Sequence, residues 1–488
     1  MTGAARALVI AARPTVVLSH LSRMTLPLAG LVAVPAGVAA VVGDWTLARR
    51  FAVITALTVG AGLALARLPS GDDLRRNEAM AVVALTFAIG AALLAWPLAG
   101  AGLAPVDAVF EAVSGITTTG LSTLATVEDK SAGFLFARAW AQWYGGLVVV
   151  VLALALVLEP GLVSKRLSTG LEGQEGDVLG GTRARAQRAL AVYGALTVVG
   201  TLAVGAVTGD LWDALLHVLA AVSTGGFASH DASAAALPVS ARAVLAVLSV
   251  AGAVSLLLIW RAVAERRPGL LANDGACRAL LVLIALVTVA IGLSRLLVAG
   301  EPPALALAQA AQLAVWTQTT TGFSAIDVAS LDPATQAVLI VSMMIGGDAG
   351  STAGGIKIPR LLVVLAVIRL IVLRPSMPPH ALATPSVVGR RTEPAEALTT
   401  LTLLSVFMAV MLGGWIVFLL HGLPPLASLF DIVSALGTVG LSAGVVGPDL
   451  PDHLKILLAV VMLAGRLEVV ALLVLIHPAT WFGIRGGR

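Results

Sequence analysis

Four short phrases hold the residues of this chain with the clearest chemistry: Thr118-Thr119-Gly120, Thr224-Gly225-Gly226, Thr320-Thr321-Gly322 and Thr438-Val439-Gly440. Each follows an apolar stretch too short to span a bilayer. The central glycines stand roughly 100 residues apart, which marks repetition of one unit. A cation stripped of its water inside a membrane needs oxygen ligands on several sides, and backbone carbonyls from four segments supply them. Turning successive carbonyls one way demands backbone angles that L-residues resist and glycine accepts. A short helix ending at each phrase also aims its negative C-terminal end at the ion. A lone Thr-x-Gly reads as a helix-ending turn. Four in matched context read as a four-part cation filter.

A second constellation interrupts the third copy, at Gly346-Gly347-Asp348-Ala349-Gly350-Ser351-Thr352-Ala353-Gly354-Gly355-Ile356-Lys357. Five glycines and small polar residues inside an apolar run do not make an ordinary spanning helix. A phosphate-cradling loop is glycine-rich too, but its G-x-x-x-x-G-K-[ST] pattern is unmet: Ile356 separates Gly355 from Lys357, and Ile358 stands where Ser or Thr belongs. Arg466 lies within the last apolar stretch, with Glu468 two residues on. Intramembrane charges usually face a cavity or a partner. A structural Arg–Glu pair is the plain alternative, but residues two apart do not share a helix face, and Asp348 offers Arg466 another partner. Gly440-Leu441-Ser442-Ala443-Gly444 fits the G-x-S-x-G of a hydrolase, without the strand–turn–helix context or a placed His–Asp pair. An intramembrane hydrolase is therefore a remote alternative, and the chain reads as no enzyme.

These residues must be positioned by membrane helices. The 488 residues are 58% hydrophobic and only 12% charged, about half the charged share of a soluble domain. Runs of about 20 apolar residues make the chain an all-α polytopic membrane protein, and the missing β-alternation argues against a barrel. Cys277 alone allows no internal disulfide, and the seven histidines (His20, His217, His230, His380, His421, His453, His477) lack ligand spacing, so no metal centre or cofactor is expected. The basic pI of about 9.7 does not point to nucleic acid. Basic residues gather between repeats (Lys165, Arg166, Arg183, Arg185, Arg188; Arg261, Arg266, Arg267, Arg278; Arg360, Arg369, Arg374, Arg390, Arg391), and acids gather beside the phrases (Asp107, Glu111, Glu128, Asp213, Asp231, Asp431). The positive-inside rule then puts the linkers and the N-terminus, with Arg6, Arg13 and Arg23, in the cytoplasm and the phrases outside. No cleavable signal is expected, because basic residues interrupt a weak first apolar run.

The organisation that follows is an N-terminal two-helix hairpin over 1–70, with helices at 25–42 and 51–67, and four repeats. The repeats cover 78–160, 183–265, 276–374 (with the glycine-rich loop) and 394–480. Each is helix, short re-entrant helix, phrase, helix, with the second helix unbroken in every copy but the third. Ten spanning helices and four half-helices leave no soluble domain. Asp107 and Asp213 share one register, thirteen residues before the glycine, where an acid suits a helix N-terminus.

The strings SGITTTGLST (114–123), AVSTGGFASHD (221–231), QTTTGFSAID (318–327), GGDAGSTAGGIKIPR (346–360), SALGTVGLSAG (434–444) and MLAGRLEVV (462–470) carry a resemblance to the TrkH/KtrB/HKT superfamily of potassium transporters. It covers residues 78–480, with the hairpin and the second phrase closer to the TrkH branch and the fourth closer to KtrB. The resemblance implies four joined units around one pore, with Gly120, Gly226, Gly322 and Gly440 as filter glycines. Serine at the first goes with sodium preference in the plant branch, so four glycines imply potassium. It also implies that the 346–357 loop plugs the pore, that Arg466 is an electrostatic barrier facing it, and that the chain forms a homodimer in the plasma or inner membrane. A cytoplasmic nucleotide-binding ring of TrkA or KtrA type is the implied regulator. The sparse ionisable residues of the spans favour passive gated permeation over H+- or Na+-coupled symport.

Overall fold

The computed structural model describes residues 11–67, 74–157, 181–378, 380, 384–387 and 390–482. Arg6, Lys165 and Arg166 fall outside them. Helices α1 (Pro14–Val41) and α2 (Trp45–Leu65) form the N-terminal hairpin. Its turn uses Gly43 at φ 82° and Asp44, whose carboxylate accepts from Leu47 N at 3.0 Å and caps α2. Both helices begin well before the expected 25 and 51, because Pro14 suits a first helical turn and Asp44 is an N-cap.

The first copy is α3 (Arg76–Leu98), the half-helix α4 (Pro105–Ile116) and α5 (Ala132–Val157). The second is α6 (Thr182–Thr208), half-helix α7 (Leu211–Val222), α8 (Val239–Ala253) and α9 (Leu256–Ala264), followed by the short α10 (Gly269–Asn273). The third is α11 (Gly275–Leu297), half-helix α12 (Pro303–Gln318), α13 (Pro333–Ile345) and α14 (Ile358–Leu373). A two-residue antiparallel pair, β1 (Ser386–Val387) with β2 (Arg390–Arg391), precedes the fourth. That copy is α15 (Pro394–Leu420), half-helix α16 (Pro425–Leu436), α17 (Asp452–Arg466) and α18 (Val470–Ile476), and α19 (Pro478–Phe482) closes the described chain.

Among the described residues seven helices are long and apolar enough to cross a membrane, and two bent pairs make broken spans. The bends correct the sequence expectation. Not only the third copy is broken: α8 and α9 meet at 100°, and α17 and α18 at 114°. In the fourth, Glu468 and Val469 take φ of 55° and 60°, so Arg466 ends a helix rather than sitting mid-helix. The half-helices are the buried centre. Three start on proline, and α7 starts on Asp210, which accepts from Trp212 N and Asp213 N at 2.8 and 3.1 Å. Phe110, Val113, Ile116, Phe430, Val433 and Leu436 pack into one core cluster, and Val218, Val222, Trp316 and Phe323 into another.

Candidate functional site

Each half-helix ends in the same way. Thr118, Thr224, Thr320 and Thr438 take left-handed backbone at φ 53°, 52°, 56° and 51°, and Gly120, Gly226, Gly322 and Gly440 follow at 90°, 74°, 73° and 98°. Left-handed geometry is rare for a β-branched residue and persists only where its surroundings impose it. Here the imposing element is a helix-closing motif. Thr119 N bonds Ser114 O, Gly225 N bonds Ala220 O, Thr321 N bonds Trp316 O and Val439 N bonds Ser434 O, all at 2.8–2.9 Å. Side chains tighten three of the ends: Thr117, Ser223 and Thr319 each donate a hydroxyl 2.7 Å to a carbonyl one turn back.

The four ends close into a ring. A Cβ on Gly120 would overlap the Gly225 carbonyl oxygen, on Gly226 that of Thr321, on Gly322 that of Val439, and on Gly440 that of Thr119. First copy abuts second, second third, third fourth, and fourth first. Only glycine admits this approach, and the positive φ makes the requirement double. The phrase threonines, Gly225 and Val439 are buried, as are Leu121, Phe227, Phe323 and Leu441 just beyond, while the four central glycines keep accessible surface. The ring therefore leaves its central glycines part-exposed and is anchored by apolar residues beside them. Thr118 Oγ1 and Thr438 Oγ1 are buried without a hydrogen-bond partner.

The glycine-rich loop lies against this ring. Gly354 N donates to Thr320 Oγ1 at 2.8 Å, Thr224 Oγ1 donates to Thr352 Oγ1 at 3.2 Å, and a Cβ on Gly354 would strike Gly437 O and Thr438 Oγ1. Its seat is the break between α8 and α9. Asp348 N bonds Ala253 O and Thr352 N bonds Gly252 O, both at 3.0 Å, and Asp348 Oδ2 accepts from Ser255 N at 3.3 Å. Non-helical backbone at membrane depth is thus satisfied within the protein. Ala349 N donates to Asp348 Oδ1, Ser351 Oγ to Asp348 O and Lys357 Nζ to Ala353 O. Gly346, Gly350, Gly355 and Lys357 turn at positive φ, and Gly347 packs on Ala253 and Ala353. Arg466 Nη1 donates to Thr352 O at 2.7 Å, while its Nε and Nη2 are buried without partners. The expected Asp348–Arg466 pair does not form, because Asp348 is used by the α8–α9 break. Glu468 pairs with Arg360 of α14, on the far side of the bend from Arg466.

Comparison with known proteins fits this arrangement. Residues 51–480 match the family model of TrkH, described as a cation transport protein. The chain belongs to the TrkH family. The TrkH potassium uptake protein of Halomonas elongata is 31% identical over 466 residues, covering 90% of this chain and 93% of its own. TrkH of Escherichia coli K12 is 26% identical over 447 residues, covering 87% and 90%. The crystal structure of the potassium transporter TrkH from Vibrio parahaemolyticus superposes with a TM-score of 0.84 at 23% identity, covering 96% of this chain and all of that one. This family is one of transporters, and the G-x-S-x-G string falls into place. Ser442 Oγ donates at 2.8 Å to Asp431, which also accepts Ala443 N and Val446 N at 2.6 and 2.8 Å, so Ser442 anchors a loop.

Sequence reasoning placed Glu111 and Asp431 beside the phrases only as outer-side acids, and missed that they and Gln142 hold this TrkH-family ring from behind. Glu111 and Asp431 stand nine residues before their glycines, one turn after the acid register that the sequence reading used. Glu111 accepts from Ser122 Oγ at 2.5 Å, Thr123 N at 3.2 Å and Arg138 Nε at 2.9 Å. Gln142 of α5 donates to Gly225 O at 2.5 Å and accepts from Phe227 N at 3.0 Å. An acid inside an otherwise apolar half-helix was the available signal for the first two. At the rim, Asp231 accepts from Thr126 Oγ1 at 2.5 Å and Val127 N at 2.6 Å, tying the second copy's loop to the first. Desolvation alone would raise its carboxyl, but these hydrogen bonds outweigh it and hold the group below the usual carboxylate range.

Proposed function

We propose that this protein moves K+ inward across the plasma or inner membrane along the axis of the Thr-x-Gly ring, as a gated, channel-like path. The observation that carries this reading is the closed ring, in which each central glycine abuts the neighbouring copy's carbonyl. Carbonyls of Thr118, Thr119 and Gly120 and their counterparts replace the ion's water, and the free hydroxyls of Thr118 and Thr438 add oxygens below. The half-helices end at the ring, so their negative ends favour a cation. The potassium named in the relatives and the four central glycines support K+ as cargo, with no cofactor in the chain.

Closure is assigned to the loop and Arg466. The loop spans from the α8–α9 break to the fourth phrase directly under the ring, and a guanidinium with two unpartnered nitrogens beneath a cation path opposes entry. Buried and half-buried carboxylates are more numerous than the sequence suggests, but each has fixed partners: Glu111 pairs with Arg138, Asp107 with Lys455 and Glu301 with Arg295, while Asp348 and Asp431 accept from backbone amides and Ser442. A proton relay needs groups free to exchange partners, so passive permeation is favoured over H+ or Na+ symport. The proposed assembly is a homodimer in the lipid bilayer, with the N-terminus cytoplasmic and a TrkA/KtrA-type nucleotide-binding ring on the basic side. The deciding experiment is ⁸⁶Rb+ uptake into proteoliposomes under a membrane potential. Uptake independent of pH and Na+ gradients supports the channel-like path, whereas uptake that requires one of them establishes symport. Co-purification of the regulator tests the assembly.

A further inference from the structure

The four outer helices make one shared contact with the ring and differ in what they bring to it. A Cβ on Gly145 of α5, Gly252 of α8 or Gly465 of α17 would press into the last carbonyl of its own half-helix, that of Ile116, Val222 or Leu436. These glycines stand 25, 26 and 25 residues after the central glycine. Gly346 stands 24 after its own, and its carbonyl accepts from Gln318, the last residue of α12, at 2.7 Å. This register equates Arg138 with Leu245, Leu339 and Leu458, and Gln142 with Ser249, Met343 and Met462. All eight are buried. At these two positions the first copy alone has a charge and an amide.

What they touch crosses from one copy to the next. Arg138 bonds Glu111, which holds Ser122 and Thr123 just past Gly120. The same guanidinium lies over Phe227, the residue after Gly226, with Cζ 3.8 Å from the ring centre. One turn on, Gln142 fixes the Gly225 carbonyl and the Phe227 amide, and a Cβ on Gly225 would meet its Cδ at 2.5 Å. We propose that Glu111, Arg138 and Gln142 are positioning residues, a polar splint across the seam between the first and second filter segments that sets the ring's ion discrimination. The proposal rests on the reading of the ring as the ion path. Leucine and methionine pack five of the six corresponding positions through non-directional contacts that yield to small displacements, and the sixth, Ser249, bonds back to Leu245 O of its own helix rather than to the ring. Hydrogen bonds and a stacked guanidinium do not, so this seam fixes the Gly225 carbonyl while the others follow.

Removing one partner would strand a buried charge, so the test replaces both. A buried ion pair exchanged for apolar residues of similar volume is commonly tolerated. Glu111→Leu/Arg138→Met removes the pair together but leaves Ser122 Oγ and Thr123 N without their acceptor, so the purified protein is expected to stay folded with a modestly lowered melting temperature while its ²²Na+ to ⁸⁶Rb+ uptake ratio rises about tenfold, the change that 1.4 kcal/mol of differential ion binding produces. Gln142→Met, which installs the residue of the third and fourth copies, carries the same expectation and the full test should the double variant fail to fold. A folded variant with an unaltered ratio overturns the splint. Gly120→Ser separates the two readings: a changed ratio there with none here refutes the splint alone, and no change in either refutes the filter reading itself.

Discussion

Gly120→Ser bears most directly on the proposed path, and its effect follows from the local geometry. Gly120 sits at φ 90°, where an L-residue costs about 1–2 kcal/mol. The new Cβ would overlap the Gly225 carbonyl oxygen with Gly440 Cα 3.5 Å away, so no side-chain rotation relieves it. The Gly225 carbonyl must withdraw from Gln142, now 2.5 Å away, at a further cost of about 1 kcal/mol for a lost hydrogen bond. A strain of about 2–3 kcal/mol carried by the K+-loaded ring corresponds to about a 30- to 150-fold loss of preference. Na+ is less affected, since it depends less on a complete set of wide-spaced oxygens. Paired ⁸⁶Rb+ and ²²Na+ uptake into proteoliposomes under the same potential reads the ratio directly, with a thermal melt to show that the variant is folded. A folded Gly120→Ser protein with the parent ratio would refute the argument that this ring discriminates between ions.

Deleting residues 347–354 should raise Rb+ uptake about tenfold or more, as loss of about 1.4 kcal/mol of barrier would. The deletion is geometrically mild, because Ile356 N bonds Met344 O and Lys357 N bonds Ile345 O at 2.8 Å, and Gly346 already abuts Gly355. Equal uptake would remove the loop from the gate. Arg466→Gln keeps a donor for Thr352 O but removes the charge, and uptake should rise several-fold with ion preference unchanged. A shift in preference would instead place Arg466 in the filter. Asp231→Asn should lower the melting temperature at pH 7. Because the folded Asp231 carboxyl is depressed, its stabilisation is present above the ordinary value of about 3.9 and fades as pH falls below it. The gap between parent and variant should close there, and a gap that stays constant would refute the charged hydrogen bonds as its cause.

The half-helices and their ends were legible because glycine and the apolar runs are local signals. Thr-x-Gly after twelve or so apolar residues encodes both the helix stop and the positive φ, and the four copies fold alike there. The partners of the ring were not legible. Arg138 and Gln142 stand out as a charge and an amide in the least apolar of the seven spans, but their contacts, Phe227 and Gly225, are 83 or more residues away and nothing in the sequence names them. Nothing in the sequence pairs Asp348 with Ser255 rather than Arg466, since that choice depends on where α8 breaks. The break at Val254-Ser255 has no proline, and the glycine before it, Gly252, is no sufficient mark, since α5 runs unbroken through Gly145 and Gly146.

The three breaks share a register, and this shows why repetition and asymmetry belong to one device. Gly252, Gly346 and Gly465 fall 24 to 26 residues after the central glycines of their phrases, and in each of these copies the outer helix ends within one turn of that glycine. In the first copy α5 runs straight through Gly145 and Gly146, and the room a side chain would take is filled by Tyr193, whose Oη lies 2.7 Å from a Cβ built on Gly146. A break frees backbone groups that must find partners at membrane depth. In the second copy those freed at Gly252, Ala253 and Ser255 bind Thr352 and Asp348; in the third the freed backbone is the loop itself. In the fourth, the residue after the glycine is Arg466, reaching the same Thr352. The seat, the loop and the arginine thus meet at Asp348 and Thr352, each supplied by a different copy. The ring is built from four equivalent backbones, whereas the closure proposed above requires unequal ones, and the chain places that inequality where the outer helices release their backbone.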